Sequence, residues 1–272
     1  MNYLVYEQLG ATRENEDMGT PKQITIDPLS ACSLRLELAT KGNTLGTATG
    51  FVVESGGRYY LITNWHVVAA RNPDTNQLLS DTGAVPEELQ IVHHLKERLG
   101  SWAVFSEPLF DTNGSPRWLE HPQGRVIDVV AVPLTDHPDV AFYPLDLSLT
   151  DTNMLPQPGM PVSIIGYPFG LATGVAWPIW KTGHIASDPD LDYDGRPAFL
   201  IDATTRGGMS GSPVVLRLSG GYPARDGSFI LAGGVATLFL GVYSGRIHRQ
   251  AEIGRVWRPL VIEEILGPAS ST

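Results

Sequence analysis

The sequence predicts an all-β protein of two six-stranded antiparallel β-barrels with a C-terminal α-helix, and three observations carry this. First, 29 Gly and 21 Pro punctuate many short runs of Val, Ile, Leu and Tyr, the pattern of strands joined by turns. Second, about six such runs fall on each side of a proline-rich bridge, LPQPGMP (Leu155–Pro161), as two similar barrels meeting in a cleft would require. Third, 272 residues that are 42% hydrophobic and 18% charged can bury one large core or two small ones and give no sign of disorder. The expected organisation is an extension over residues 1–24, a first barrel over 25–148, and a second barrel with the terminal helix over 149–272.

Taken in order, residues 1–24 are acidic and polar with little periodicity, so they either wander or dock on the body. CSLRLEL (Cys32–Leu38) alternates as a strand. GTATGFVVE and RYYLITNWHVV form a hairpin about the turn SGG, ending in His66. VVAARN continues as one helical turn that Pro73 closes. LQIVHHL and SWAVFSEPLF are strand candidates, DTNGSP is a turn, and RVIDVVAVPL is a buried strand carrying Asp128. Beyond the bridge, PVSIIGY, WPIWKTGHIA, AFLIDAT, SPVVLRL, GSFILAGGVA and FLGVYSG read as strands. IGRVWRPLVIEEIL has helical spacing, and Pro259 either kinks that helix or marks its start.

A formal charge of −10 argues against a nucleic-acid binder, which needs a basic face. No apolar run approaches a membrane span and the N-terminus does not resemble a secretion signal, so a cytoplasmic protein with no membrane partner is expected. Cys32 is the single cysteine, which forbids an internal disulfide and fits a buried small hydrophobe.

The chemistry concentrates in GGMSGSPVV (Gly207–Val215). A serine hydroxyl is a weak nucleophile that needs a base beside it and donors aimed at the developing oxyanion. With Gly207, Gly208 and Gly211 free to take positive φ, the N–H groups of Gly208 and Ser210 are placed to form that oxyanion hole. In a chain of this composition GxSG is expected by chance about 0.2 times, but GxSGSP only about 0.001 times. Ser212 stands where the GxSxG nucleophile elbow requires glycine, which disfavours an α/β-hydrolase. His66 is the candidate base. His93, His94 and His121 are its rivals, although His93 and His94 are adjacent on one strand and face opposite ways. Asp128 is the candidate orienter, with Asp139 in DVAFYPL as competitor.

The order His66, Asp128, Ser210 and the blocks TNWHVV, DVVAVPL and GMSGSP resemble the trypsin-like, chymotrypsin-fold serine peptidases of bacteria. IIGYPFGL, KTGHIAS and FLIDATT are similar to the second barrel of the HtrA-like branch, without a PDZ domain, and SGSPV is similar to glutamyl endopeptidases. The resemblance implies a serine endopeptidase with His66 as base, Asp128 as orienter, Ser210 as nucleophile, and Gly208 and Ser210 as oxyanion donors. It also implies that Tyr243, Ser244 and Gly245 pair with the substrate backbone. Thr204 and Thr205 then floor the pocket for the residue before the cut, with Gly245 opposite. Neither floor position is a carboxylate, so Lys or Arg is disfavoured there and a small or medium uncharged residue is expected over an acidic one. VAFYPLDLS supplies the strand ending in PL that such proteins carry after the aspartate strand, which favours Asp128 over Asp139.

One departure from the family's pattern bears on activation. Met209 stands where zymogen-activated relatives keep an aspartate, so activation by N-terminal trimming is not implied. DLDYDG (Asp190–Gly195) starts like a calcium loop but has Ile201 at position twelve where a glutamate is required, so no metal or other cofactor is expected. An acidic hairpin with a regulatory role is expected there instead. The expected partners are a protein or peptide substrate, with an activating protein as a further option. The rival functions are an idle peptide-binding scaffold and an esterase on the same residues.

Overall fold

The computed structural model describes residues 4–8, 22–80, 82–248 and 250–267. Of the expected extension, residues 9–21 lie outside the described residues, while β1 (Leu4–Gln8) and β2 (Lys22–Ile26) pair antiparallel. A short helix, α1 (Pro28–Cys32), follows, capped by the Asp27 carboxylate, which accepts from the N–H of Leu29 at 3.0 Å. Pro28 stands in its first turn, where no donor is lost.

The N-terminal half contains β3 (Ser33–Thr40), β4 (Asn43–Ser55), β5 (Arg58–Thr63), α2 (Trp65–Ala69), β6 (Glu88–Leu95), β7 (Trp102–Pro108), β8 (Leu119–Glu120), β9 (Val130–Pro133) and β10 (Val140–Ala141). They form an eight-stranded sheet in the order β10-β6-β3-β4-β5-β9-β8, with β7 also on β6. The expectation was six strands. The additional ones, β8 and β10, are two residues long, too short to leave a periodic trace in the sequence.

The C-terminal half is a closed six-stranded barrel of β11 (Pro161–Gly166), β12 (Ile179–Ile185), β13 (Ala198–Asp202), β14 (Pro213–Pro223), β15 (Phe229–Arg246) and β16 (Ile253–Trp257), in the order β11-β12-β13-β16-β15-β14. Two expectations need correction here. GSFILAGGVA and FLGVYSG are one 18-residue strand, and IGRVW is the sixth barrel strand instead of the start of the helix. Gly254 and Val256 turn inward while Arg255 is only partly covered, a two-residue period that the three apolar residues after Pro259 obscured. The terminal helix α3 (Leu260–Leu266) begins at Pro259, the second of the two roles open to that proline.

Apolar packing joins the halves. Phe51, Ile62 and Val129 from the first meet Val215, Phe239 and Trp257 from the second, and α3 covers the seam with Val261, Ile262 and Ile265. Phe51 and Phe239 pack edge to face at 5.7 Å. Cys32 is buried in this cluster, and burial, with the Asp27 charge beside it, pushes its thiol up to about 12. It is an inert packing group, as its sequence context suggested.

His93 and His94, read as rivals for the base, are each 2% exposed on β6. Phe105 and Phe142 stack edge-on to His93, while Trp102, Tyr143 and Trp177 surround His94. Burial, and for His93 the neighbouring His94 and His137, lowers both to about 4. The unfolded chain therefore takes up these protons first, so their stabilisation is full above the ordinary imidazole value and is lost as pH falls towards 4. The unfolding free energy from denaturant titrations is expected to fall by on the order of 3 kcal/mol per histidine between pH 7 and pH 4, and His93→Phe is expected to flatten that slope by one proton.

Candidate active site

His66, Asp128 and Ser210 come together at the seam between the halves. β5 ends at Thr63 and α2 begins at Trp65, so His66 sits in the first helical turn, where its N–H has no intrahelical acceptor. Asp128 Oδ1 accepts that N–H at 2.9 Å. The aspartate lies two residues before β9, in the irregular link after the 3-10 turn Gly124–Val126, and so is not inside a strand as expected. The link turns its carboxyl out of the ladder and onto the histidine. Asn64 Nδ2 donates to the Asp128 carbonyl at 2.7 Å and holds the link in place.

His66 Nδ1 is 2.7 Å from Asp128 Oδ2, and Nε2 is 3.0 Å from Ser210 Oγ. The Asp128 side chain is 3% exposed and that of His66 19%. Burial alone would depress His66, but the Asp128 charge and hydrogen bond outweigh it and raise its pKa above the usual imidazole value. The competitors are elsewhere: Asp139 is exposed, and His121 Nε2 pairs with Glu264 Oε2 at 2.6 Å.

The nucleophile loop carries Gly208 at φ +91° and Gly211 at +86°, while Gly207, expected to share that freedom, does not use it. Both positive-φ glycines are also sterically required. A Cβ would stand 2.3 Å from the Tyr167 carbonyl at Gly208 and 2.1 Å from the Thr49 carbonyl at Gly211. The Gly207 carbonyl accepts from Phe169 N–H at 2.6 Å. This turns the N–H of Gly208, across the same trans peptide, the other way. Among the described residues neither the Gly208 nor the Ser210 N–H donates to a protein acceptor, as an oxyanion hole requires. Met209 is fully buried in the barrel core, anchoring the loop by apolar packing where an ion pair would otherwise do it.

Thr49 was missed in the sequence, where a threonine in an alternating strand carries no signal. Its N–H donates to the Ser210 carbonyl at 2.9 Å and its Oγ1 to the Gly208 carbonyl at 2.7 Å. The same Oγ1 accepts from Tyr167 N–H at 3.0 Å.

Around Ser210 the cleft has two unlike sides. One cavity of about 210 Å³ is lined by Leu38, Leu45, Ala48, Val67, Ala70 and Leu79. The other, about 340 Å³, is bordered by Asp74, Asp128, Ser244, Gly245, Arg246 and Arg255. A larger cavity of about 770 Å³ lies against α3 and touches none of the three central residues. Of the expected pocket residues, Thr204 is exposed and Thr205 is buried. The Thr205 and Tyr243 hydroxyls hydrogen-bond to each other. Burial pushes the Tyr243 phenol up to about 12, and its ring rests on Gly254, where a Cβ would approach to 2.4 Å. Ser244 Oγ accepts from Trp257 Nε1 at 3.0 Å. In the acidic hairpin, Asp190 pairs with Arg225 at 2.9 Å and Asp192 with Arg258 at 2.5 Å. Among the described residues no group of three His, Cys, Asp or Glu side chains is placed to hold a metal, and no helix is long and apolar enough to cross a membrane.

A histidine bridging a serine hydroxyl and a buried carboxylate, in a cleft between two β-structures, defines a site of the serine-peptidase class. The model of the trypsin-like peptidase domain matches residues 48–220, more than half of the chain, and the chain belongs to that family of serine endopeptidases. No curated protein matches it. Among solved structures it is similar to the Rv3671c protease of M. tuberculosis in its active form, at 19% identity and TM-score 0.47, covering 90% of this chain and 83% of that one. It is also similar to a serine endoprotease of Yersinia pestis, at 13% and 0.48, covering 87% and 62%, so it spans less than two thirds of that relative. The thermostable serine protease AL20 from an extremophilic microorganism matches at 12% and 0.49, covering 90% and 100%.

Thr49→Val is expected to orphan the Gly208 carbonyl and the Tyr167 N–H. The cost is about 1–3 kcal/mol of stability in a denaturant titration together with a lower kcat, and Thr49→Ser is expected to restore both.

Proposed function

We propose that the protein cleaves peptide bonds through an acyl-enzyme formed on Ser210. The observation that carries this reading is the unbroken chain from Ser210 Oγ through His66 to Asp128 at 3.0 and 2.7 Å. His66, neutral at Nε2 and with its Nδ1 proton held by Asp128, takes the hydroxyl proton as Oγ attacks the carbonyl carbon. The N–H groups of Gly208 and Ser210 receive the developing oxyanion. His66 then protonates the leaving amine, water enters, and the same base drives deacylation. Asp128 stays ionised throughout, and its charge is the source of the raised His66 pKa.

Regulation forms part of this proposal. The hairpin Asp188–Gly195 is tied to the barrel by Arg225 and Arg258, and Arg196 beside it reaches Asp74 of the other half at 2.6 Å, at the edge of the cleft. Loop ordering or a partner protein would act on the cleft through that contact.

The fluorophosphonate probe separates this reading from a peptide-binding scaffold. Labelling of the wild type, loss of labelling and peptidase activity in Ser210→Ala, and an unchanged melting curve are expected. A residual rate of about 10³–10⁴ over water from the oxyanion hole would remain, and undiminished labelling of the variant would overturn the assignment.

For the residue before the cut, Tyr243 fills the space beside Thr205 and leaves no carboxylate there. A peptide library varied at that position is expected to favour Ala, Val, Thr or Leu, and Tyr243→Ala to extend cleavage to larger side chains. Dominant cleavage after Lys or Arg would place the pocket elsewhere.

A further inference from the structure

The cavity of about 340 Å³ beside His66 and Ser210 is bordered by two carboxylates and two guanidiniums. Of its two carboxylates, Asp128 is committed to His66 at 2.7 Å and Asp74 to Arg196 at 2.6 Å. Of its two guanidiniums, Arg246 has Glu252 at 3.9 Å, a carboxylate that Arg206 shares at 3.3 Å. Arg255 has no carboxylate within ion-pair distance among the described residues. Its guanidinium lies 5.7 Å from the Tyr193 ring and 5.5 Å from the Trp257 ring, and its buried Nε has no acceptor. Two aromatic faces hold the cation and neutralise none of its charge. In a chain of net charge −10, a cation left without a counter-charge inside the cleft stands out from the field around it.

Register shows what this cation faces. β15 and β16 pair Tyr243 with Val256 and Arg246 with Gly254, and the bulge between these pairs sets two residues of β15, Ser244 and Gly245, against a single residue of β16. That residue is Arg255, between Gly254 and Val256. Ser244 and Gly245 are the residues onto which a substrate backbone would add as a strand, so side chains preceding the cut pass the cavity that Arg255 borders. A carboxylate there gains charge-assisted hydrogen bonds from a fork already oriented by its two rings.

We propose that Arg255 is a specificity residue that recognises an acidic side chain of the substrate two to four residues before the scissile bond. This rests on the proposed peptidase reading and adds the class of peptide it acts on.

The test uses the full chain and peptides with Val before the cut that differ only by Glu or Gln at each of those three positions. Wild type is expected to show a kcat/KM for Glu at least about tenfold above that for Gln at one position, shrinking as salt is added. Arg255→Gln is expected to bring the pair within about twofold, and Arg255→Lys to keep the sign of the preference. Peptide affinities measured on Ser210→Ala, with and without Arg255→Gln, are expected to show the same discrimination without any hydrolysis. A failed triad would thus remove turnover but keep Glu-over-Gln binding. Equal affinity and equal rates for Glu and Gln at all three positions, or a preference that survives Arg255→Gln, would overturn the proposal. If Arg255→Gln does not fold, the salt dependence of the wild-type preference decides alone.

Discussion

Thr49 is the point on which the site depends, because one buried residue of β4 ties together three segments that belong to different parts of the chain. Its N–H and Oγ1 both donate into the nucleophile loop, to the carbonyls of Ser210 and Gly208, and its Oγ1 also accepts from Tyr167 at the end of β11. Thr63, at the end of the strand that delivers His66, donates back to the Thr49 carbonyl at 2.9 Å. The histidine side and the serine side of the cleft are therefore referenced to the same few atoms. A distance of 3.0 Å between Nε2 and Oγ cannot be held by loops alone, since an error of about 1 Å is enough to cost catalysis heavily. Thr49, Thr63, Tyr167 and Gly208 are buried, so each bond among them is expensive to leave unmade and the arrangement has few alternatives.

The nucleophile loop is held from below by different physics. Met209 enters the barrel core with Val214, Leu216 and Tyr243, so its anchorage is hydrophobic and indifferent to a free N-terminal amine. From above, Phe169 N–H takes the Gly207 carbonyl at 2.6 Å, and Phe169 itself has φ +55°. A non-glycine residue in that region costs roughly 1–3 kcal/mol, which the hydrogen bonds around Gly208 offset. With the loop gripped on both sides, two N–H groups remain aimed at nothing in the protein.

Charge is distributed unevenly about this centre. The ion pairs of the acidic hairpin are largely exposed, with Asp190 63% and Arg225 47% accessible, and contribute little stability each. They fix where the hairpin lies, and Tyr193, which flanks Arg255, belongs to that hairpin. The cavity on the other side of Ser210 is lined mainly by apolar side chains, among them Leu38, Leu45, Val67 and Leu79. The cleft therefore has one charged side, bordered by Asp74, Asp128, Arg246 and Arg255, and one apolar side.

Much of this was legible in the chain itself. Gly and Pro spacing with alternating apolar residues determined the β class, because side-chain period and turn chemistry are local properties. GMSGSP marked the nucleophile loop because positive φ at Gly208 and Gly211 can be met by few other residues. His66 stood out as the histidine closing a buried strand. What the sequence could not decide were matters of pairing between distant segments. IGRVW looks helical beside LVIEEIL until β13 and β15 bind its two edges, and the two-residue strands β8 and β10 exist only because β9 and β6 are already in place. Asp128 could be read in a strand, but its carboxyl is useful because the chain leaves the ladder before β9. Thr49 and Arg255 have no local signature at all. One matters through hydrogen bonds to residues more than a hundred positions away, the other through a missing partner, and both depend on where the tertiary fold puts their neighbours.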